Sequence, residues 1–366
     1  MKKTEATVKE PLIHITKRAT ISWPMSILIR AAAIVCALLV TAVIIMLMAK
    51  QNPIKIYMSM LNGAFGTPRR IWNLMNDTCV LLGISLAVTP AFKMKFWNCG
   101  AEGQTLIGGL ATATCMLFLG DKLPLPLLFV VMIFSSIVAG AIWGVIPAIF
   151  KALFGTNETL FTLMMNYIAI QLINFFLKVW IKSGSGTMPT MPQYRFPKLL
   201  GQDYLLNIVV FLLVCVAMFI YLYYSKQGYE ISVVGESENT ARYVGINVKK
   251  VIVRTMIVSG ALCGLVGLLL VANGSCNIST DIVGGQGFTA IMVSWLAKFN
   301  PFFMILASFL ISFLNRGTSQ IATAFNLDPS VCDVITAVIL FFIIGCEFFI
   351  NYQIHFRHKT KEGENK

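Results

Sequence analysis

The chain has 366 residues, of which 57% are hydrophobic and 12% charged, and its formal net charge is +13. A soluble domain carries about 25% charged residues to wet its surface, so this composition excludes an ordinary soluble protein. The basic residues are scattered over hydrophilic breaks between apolar runs, which favours membrane orientation over nucleic-acid binding. The nine cysteines form no Cys-x-x-Cys pair and are interpreted as small buried hydrophobic residues.

The apolar runs have the length needed to cross a bilayer, because about 20 residues at 1.5 Å rise span a hydrocarbon core of roughly 30 Å. Backbone polar groups find no partners in lipid, so such runs form helices; the short alternating segments of a transmembrane barrel are absent. We therefore predict an all-α polytopic membrane protein with about ten transmembrane helices. The predicted spans are 26–49, 75–92, 101–119, 125–150, 158–181, 203–224, 251–272, 283–298, 299–316 and 331–351.

The organisation that follows is a membrane domain at 26–351 between two polar tails, 1–25 and 352–366. The first apolar run is too long for a cleaved signal peptide and predicts a helix that stays as an anchor. The breaks assigned to the side of the tails carry more Lys and Arg than the others, which predicts two cytoplasmic termini. Residues 182–202, with three prolines and a Ser-Gly-Ser-Gly run, predict an external loop.

The third predicted span opens on a polar run that contains Asn98, Glu102 and Gln104 among glycines. One interpretation is a plain turn in which Glu102 favours a helix N-terminus. The other is a broken helix whose polar groups face a solute pathway. A related glycine-containing run at 286–291 opens the eighth span, in the opposite direction. This similarity predicts an inverted-topology repeat around a central pathway.

Two further segments suggest protein contacts. Residues 235–247 form a short stretch of mixed charge, ending near a glycine suited to a helix C-terminus. It is interpreted either as an ordinary amphipathic loop helix or as a docking element for a soluble partner. In the seventh span, Gly260, Gly264 and Gly267 have the spacing that lets helix backbones approach closely, which predicts helix packing.

Several catalytic patterns are missing from the sequence. There is no G-x-x-x-x-G-K-[ST] motif, and Gly-Lys never occurs, so the chain has no phosphate cradle of this type. All three histidines lie in the tails, which leaves no histidine-containing metal cluster and no Ser–His dyad within the membrane. We therefore expect a transport protein rather than an enzyme, with no metal and no cofactor.

Four motifs carry a resemblance to a known family. They are Ala241-Arg-Tyr-x-Gly-Ile-Asn247 followed by Ser259-Gly-Ala-x-x-Gly-x-x-Gly267, Asn98-x-Gly-Ala-Glu-Gly-Gln104, Asn157-Glu-Thr159 with Met164-Met-Asn-Tyr-Ile168, and Gly285-x-Gly-Phe-Thr-x-Ile291. The chain resembles the permease subunits of ABC importers of the ribose and branched-chain amino-acid type. The second motif is similar to the branch that carries nucleosides and simple sugars. The resemblance covers roughly residues 75 to 350.

This resemblance implies a multi-pass permease in a bacterial plasma membrane that moves a nucleoside or a simple sugar by alternating access. Its implied partners are a cytoplasmic ABC ATPase subunit that hydrolyses ATP, a second permease chain and an extracytoplasmic solute-binding protein. Segment 235–247 would be the coupling segment, through Glu236, Asn239, Ala241, Arg242 and Gly245. The pathway residues would be Asn98, Glu102, Gln104 and Asn166.

The residues leave some alternatives open. A carrier or facilitator for a small neutral solute that works without an ATPase is the second interpretation, although ionisable groups within the spans are too few to favour ion coupling. The identity of the solute, and a homodimer against a heterodimer of permease chains, are not decided by the sequence.

Overall fold

The structure is a computed structural model that describes residues 13–18, 22–181 and 188–356. In these ranges the chain forms thirteen α-helices and two short strands. The helices are α1 (Trp23–Ile44), α2 (Pro53–Phe65), α3 (Pro68–Lys93), α4 (Ala101–Leu119), α5 (Leu125–Phe154), α6 (Glu158–Trp180), α7 (Leu205–Tyr224), α8 (Lys226–Glu236), α9 (Glu238–Tyr243), α10 (Val248–Leu269), α11 (Gln286–Leu296), α12 (Pro301–Phe325) and α13 (Pro329–Asn351). The strands are β1 (Ile13–Lys17) and β2 (Tyr352–Phe356). π-helical turns extend α1 through Ile45–Ala49 and α10 through Leu270–Ser275.

Short polar side chains fix where many of these helices begin. In each case a side-chain oxygen at the N-cap accepts a hydrogen bond from a backbone N–H of the first turn, which would otherwise lack a partner. Proline in the first turn assists α1, α3, α5 and α13, because its fixed φ suits that position. The capping residues are Thr67 for α3, Asn157 for α6, Ser225 for α8, Ser237 for α9, Asn247 for α10 and Asp328 for α13.

Within the described residues, eight helices are long and apolar enough to cross a membrane. They correspond to eight of the predicted spans, so the all-α polytopic class is confirmed but the number ten is not. The third predicted span is α4, which has 19 residues and carries Glu102 and Gln104. The eighth is α11, whose 11 residues cover only about 17 Å, roughly half of a hydrocarbon core.

The chain divides into two compact units. The larger comprises Ala64–Phe313. In it α10 packs against α3, α4 and α5, while α6 packs on α4 and α11 packs on α3. In the most apolar stretch of each helix, about two-thirds of the residues of α3 and α10 are buried, but only 22% of those of α5. Because α5, α6 and α7 expose mainly apolar side chains, the interior of this unit is built around α3, α4 and α10 and its outer helices face lipid.

The smaller unit comprises Met1–Gly63 and Leu314–Lys366. In it α1 packs against α13, and β1 pairs with β2 in an antiparallel sheet whose register runs from Ile13 opposite Phe356 to Lys17 opposite Tyr352. The sheet was not expected, so the chain is nearly rather than entirely helical. Apolar and polar residues alternate in the sequences of both strands, which is the pattern typical of a β-strand. Residues 1–12, 19–21 and 357–366 of the predicted tails lie outside the described residues, as do residues 182–187 of the predicted external loop.

Candidate functional site

Residues 94–100, which join α3 to α4, have no regular structure and carry the first predicted pathway residue. Lys95 adopts a left-handed conformation, with φ at 61°, directly after α3 ends. Phe96 and Asn98 then lie 3% and 0% exposed. The connection therefore enters the protein interior.

Asn98 attaches this connection to two helices. Its side-chain Nδ2 donates to Ser259 Oγ on α10 at 3.0 Å and to Gln104 Oε1 on α4 at 3.4 Å. Gln104 Nε2 donates to Asn98 Oδ1 at 3.2 Å in return. All three residues are at most 1% exposed, so the polar groups satisfy one another away from solvent.

Glu102, in the first turn of α4, caps a different helix. Its two carboxylate oxygens accept backbone hydrogen bonds from Gly285 N at 2.9 Å and from Gly287 N at 2.7 Å. These donors belong to the start of α11, where the N-cap Gly285 has no side chain of its own to offer. A Cβ at Gly287 would lie 2.6 Å from Glu102 N, so only glycine permits this approach. The negative charge of the carboxylate also interacts favourably with the positive, N-terminal end of the α11 dipole.

Asn166 joins α6 to the same place. Its Oδ1 accepts from Gly103 N at 2.8 Å, and its Nδ2 donates to the Cys99 carbonyl at 2.8 Å. A Cβ at Gly103 would lie 3.0 Å from Asn166 Cα, so the missing side chain lets the two helices meet. One turn earlier on α6, Thr162 Oγ1 accepts from Cys99 N at 3.2 Å.

The four predicted pathway residues therefore lie in one buried cluster, which we call the polar network: Asn98, Glu102, Gln104 and Asn166, with Ser259. Each predicted member is at most 8% exposed. In this conformation the network ties segment 94–100 to α4, α6 and α10, and it ties the start of α4 to the start of α11. Contact of these residues with a solute stays a prediction.

An aromatic cluster beside the network was missed by the sequence reasoning. The indole rings of Trp97 and Trp295 stack with centroids 5.9 Å apart, and Phe92 meets both edge-on. Both tryptophans are about half exposed. Isolated aromatic residues on separate segments have no informative spacing, so only the fold brings them together.

The predicted packing glycines lie at the centre of the larger unit. A Cβ at Gly260 would collide with the carbonyl oxygen of Gly140 on α5, and one at Gly264 with that of Ser136. A Cβ at Gly267 would collide with the carbonyl oxygen of Thr105 on α4. Backbone-to-backbone approach of this kind explains why α10 contacts both α4 and α5 closely.

The predicted coupling segment, 235–247, contains the end of α8, all of α9 and the turn that leads into α10. Glu236, Asn239, Arg242 and Gly245 are exposed. Gly245 has φ of 81°, a left-handed conformation that suits glycine after a helix end. Ala241 alone among the predicted coupling residues is fully buried.

Ala241 belongs to an apolar cluster, here called the coupling cluster, that connects the segment to the bundle. Its buried members are Ala91, Met94, Phe96, Ala148, Ile231, Val234, Ala241, Val248, Val251, Ile252 and Met256. Gly235 approaches the Lys93 carbonyl so closely that a Cβ would collide with it. Because Met94 and Phe96 precede Asn98 directly, the coupling cluster lies next to the polar network in the chain.

The fold and these sites together define a polytopic membrane permease. The chain belongs to the family described as "Branched-chain amino acid transport system / permease component", whose model matches residues 70–344. It is therefore a transport subunit of an ABC transporter rather than an enzyme.

Curated relatives agree with this assignment over most of the chain. The guanosine ABC transporter permease protein NupP of Bacillus subtilis is 30% identical, over 83% of this chain and 89% of its own length. The nucleoside ABC transporter permease protein NupB of Lactococcus lactis is 29% identical, over 92% and 96%. The glucose ABC transporter permease protein TsgB13 of Haloferax volcanii is 27% identical, over 75% and 76%.

Proposed function

We propose that this permease imports a nucleoside or a simple sugar, driven by ATP that a separate cytoplasmic chain hydrolyses. The names of the relatives support the solute class, since two of them refer to nucleosides and one to glucose. The observation that carries the mechanism is the exposed segment 235–247, held to the bundle by the buried Ala241.

In this mechanism the ATPase contacts the exposed residues of the coupling segment. Glu236, Asn239 and Arg242 offer charged and polar contacts, and Gly245 allows the tight turn into α10. Tyr243 is 95% exposed, so its aromatic side chain is also accessible to the ATPase. Movement of the segment passes through the coupling cluster to residues 94–100.

The polar network is the place where that movement changes access. Asn98 bonds to Gln104 and Ser259, Asn166 bonds to Cys99 and Gly103, and Glu102 bonds to the start of α11, so a shift of segment 94–100 and the start of α4 exchanges these bonds. The short α11 can then move relative to α4 and open the pathway to one side of the membrane. Broken helices whose ends meet inside a bundle support such a role, because the terminal N–H groups that Glu102 holds in this conformation become available to solute when α4 and α11 separate.

The assembly that we propose contains this chain, a second permease chain of the same or a different sequence, the ATPase subunits and an extracytoplasmic solute-binding protein. Both termini of this chain lie in the cytoplasm, on the side of the coupling segment, and the membrane is the plasma membrane. The excess of Lys and Arg on that side supports this orientation.

A pull-down from native membranes tests the assembly. The tagged chain is extracted in gentle detergent and its partners are identified by mass spectrometry. We expect a Walker-motif ATPase and a permease chain, and the recovered binding protein can then be screened with guanosine and glucose. Recovery of the chain alone, together with uptake in liposomes without ATP, would replace this proposal with the carrier alternative.

A further inference from the structure

An open groove runs between α1 and α13 in the smaller unit. The groove has a volume of about 860 Å³. The residues that line it are Arg18, Leu28, Ile29, Ala32, Ala33, Cys36, Phe341, Phe342, Gly345, Cys346, Phe349, Tyr352 and Gln353. From Leu28 to Cys36 the groove follows α1 for about 12 Å, close to the half-thickness of a hydrocarbon core. A Cβ at Gly345 would meet nothing within 4 Å, so the floor is open there.

The sides of the groove face outward. Leu28 is 61% exposed, Phe341 is 72% exposed and Phe349 is 51% exposed. Because α1 and α13 are both membrane spans, these apolar surfaces meet lipid rather than water. The groove is therefore apolar, has the length of part of an acyl chain, and opens to the surrounding leaflet.

A basic side chain lies at one end of this groove. Among the described lining residues Arg18 is the charged one. Its backbone N donates at 2.9 Å to the carbonyl of Asn351, the last residue of α13, and α1 begins at Trp23. Its side-chain Nε is buried and has no hydrogen-bond partner. The guanidinium as a whole is only partly buried, and its positive charge favours an anion at this end of the groove.

We infer that the groove is a binding site for an anionic phospholipid from the leaflet nearest the two termini. One acyl chain lies along α1 and α13, and the phosphate accepts hydrogen bonds from the Arg18 side chain at the level of the headgroups. A basic residue at the end of an apolar groove between spans is the arrangement that such headgroups recognise. A transmembrane helix from a second copy would fill the apolar part but would leave Arg18 without an acceptor, so lipid is the occupant that fits both features.

Native mass spectrometry of the purified full-length chain tests this inference with two lipid probes, dioleoyl phosphatidylglycerol and dioleoyl phosphatidylcholine. The wild type should retain the anionic lipid preferentially. Arg18→Gln should weaken that retention about fivefold, the effect of one basic residue at a membrane surface, while Arg18→Lys keeps most of it. Ala33→Phe, which fills the groove, should reduce retention even though Arg18 remains.

Two matched variants control for general effects. Lys249→Gln removes an exposed positive charge elsewhere, and Ala31→Phe places the same bulk on α1 outside the groove lining. Both should bind phosphatidylglycerol as the wild type does. Equal retention of the two lipids, or unchanged retention in both Arg18→Gln and Ala33→Phe, would overturn the inference. So would loss of a chain dimer in Ala33→Phe with lipid retention intact, because a second copy would then be the occupant.

Discussion

The carboxylate of Glu102 accepts a hydrogen bond from Gly287 N at 2.7 Å across a separation of 185 residues. It does for α11 what an N-cap side chain does for an ordinary helix, because Gly285 offers none. The ends of two helices that are distant in sequence thus depend on one buried carboxylate. This relationship makes Glu102 a structural residue, and in the mechanism that we propose it is the point at which α4 and α11 separate.

Replacing Glu102 with Gln removes the negative charge and one of the two acceptor oxygens. We expect a loss of about 1.5–3 kcal/mol in stability, the contribution of hydrogen bonds to a charged group, and a marked loss of uptake. Thermal melting in detergent measures the first effect and solute uptake in proteoliposomes the second. Glu236→Gln, at an exposed position, should melt as the wild type does. An unchanged melting temperature in Glu102→Gln would show that the cap does not stabilise α11.

The parts of the fold that the sequence predicts well are those decided by composition. Spans such as α1, α5 and α7 face lipid, so their apolar runs mark their extent almost directly. The network residues Asn98, Glu102 and Gln104 were predicted because they interrupt such runs. Their partners were not: Ser259 was assigned to a packing motif, and Glu102 was expected to favour its own helix, since contacts between residues so far apart leave no local signal.

Other elements were missed for different reasons. The two strands are only five residues long and lie in segments that were interpreted as polar tails. The predicted span 283–298 is longer than α11, because apolar residues continue on both sides of the helix. Gly284 and Gly285 before the helix and Phe299 after it have positive φ and mark its limits. The similar runs at 102–107 and 286–291 do meet, through Glu102, but the inverted repeat itself stays a prediction.

Arg242→Glu tests the coupling segment without disturbing the fold. Arg242 is exposed, and its ion pair with Glu238, four residues earlier on α9, contributes only about 0.3–0.5 kcal/mol to a helix. We expect normal membrane insertion, reduced recovery of the ATPase in the pull-down and loss of uptake. The control is Lys249→Glu, which makes the same charge change at an exposed position just beyond the segment. Normal uptake in Arg242→Glu would refute the coupling role.

Ala241→Asp tests whether the coupling segment needs its anchor. A carboxyl group in the buried coupling cluster lacks partners, so its burial costs about 1–3 kcal/mol when it is protonated and more when it is ionised. We expect the segment to detach, so that limited proteolysis cleaves near α9 and ATPase recovery falls. Asn239→Asp introduces the same side chain at an exposed position two residues away and should be resistant. Equal protease sensitivity in the two variants would contradict the anchoring role of Ala241.

Gly264→Ala tests the packing of α10 on α5. The added methyl collides with the Ser136 backbone carbonyl, which cannot move as a side chain would, so we expect a loss of about 1–3 kcal/mol in stability. Gly274→Ala is the matched control, because its nearest neighbour to an added Cβ is the Leu269 oxygen at 3.8 Å. Thermal melting in detergent compares them. If both variants melt at the same temperature, close backbone approach at Gly264 is not required.

ATP-driven import is tested by uptake of labelled guanosine and glucose by the purified complex in proteoliposomes, with its binding protein outside the membrane and ATP or a non-hydrolysable analogue on the ATPase side. We expect uptake of one of these solutes with ATP only, and loss of that uptake in Arg242→Glu although the complex still contains the inserted permease. Uptake that is equal with ATP, with the analogue and in Arg242→Glu would refute ATP-driven import through the coupling segment.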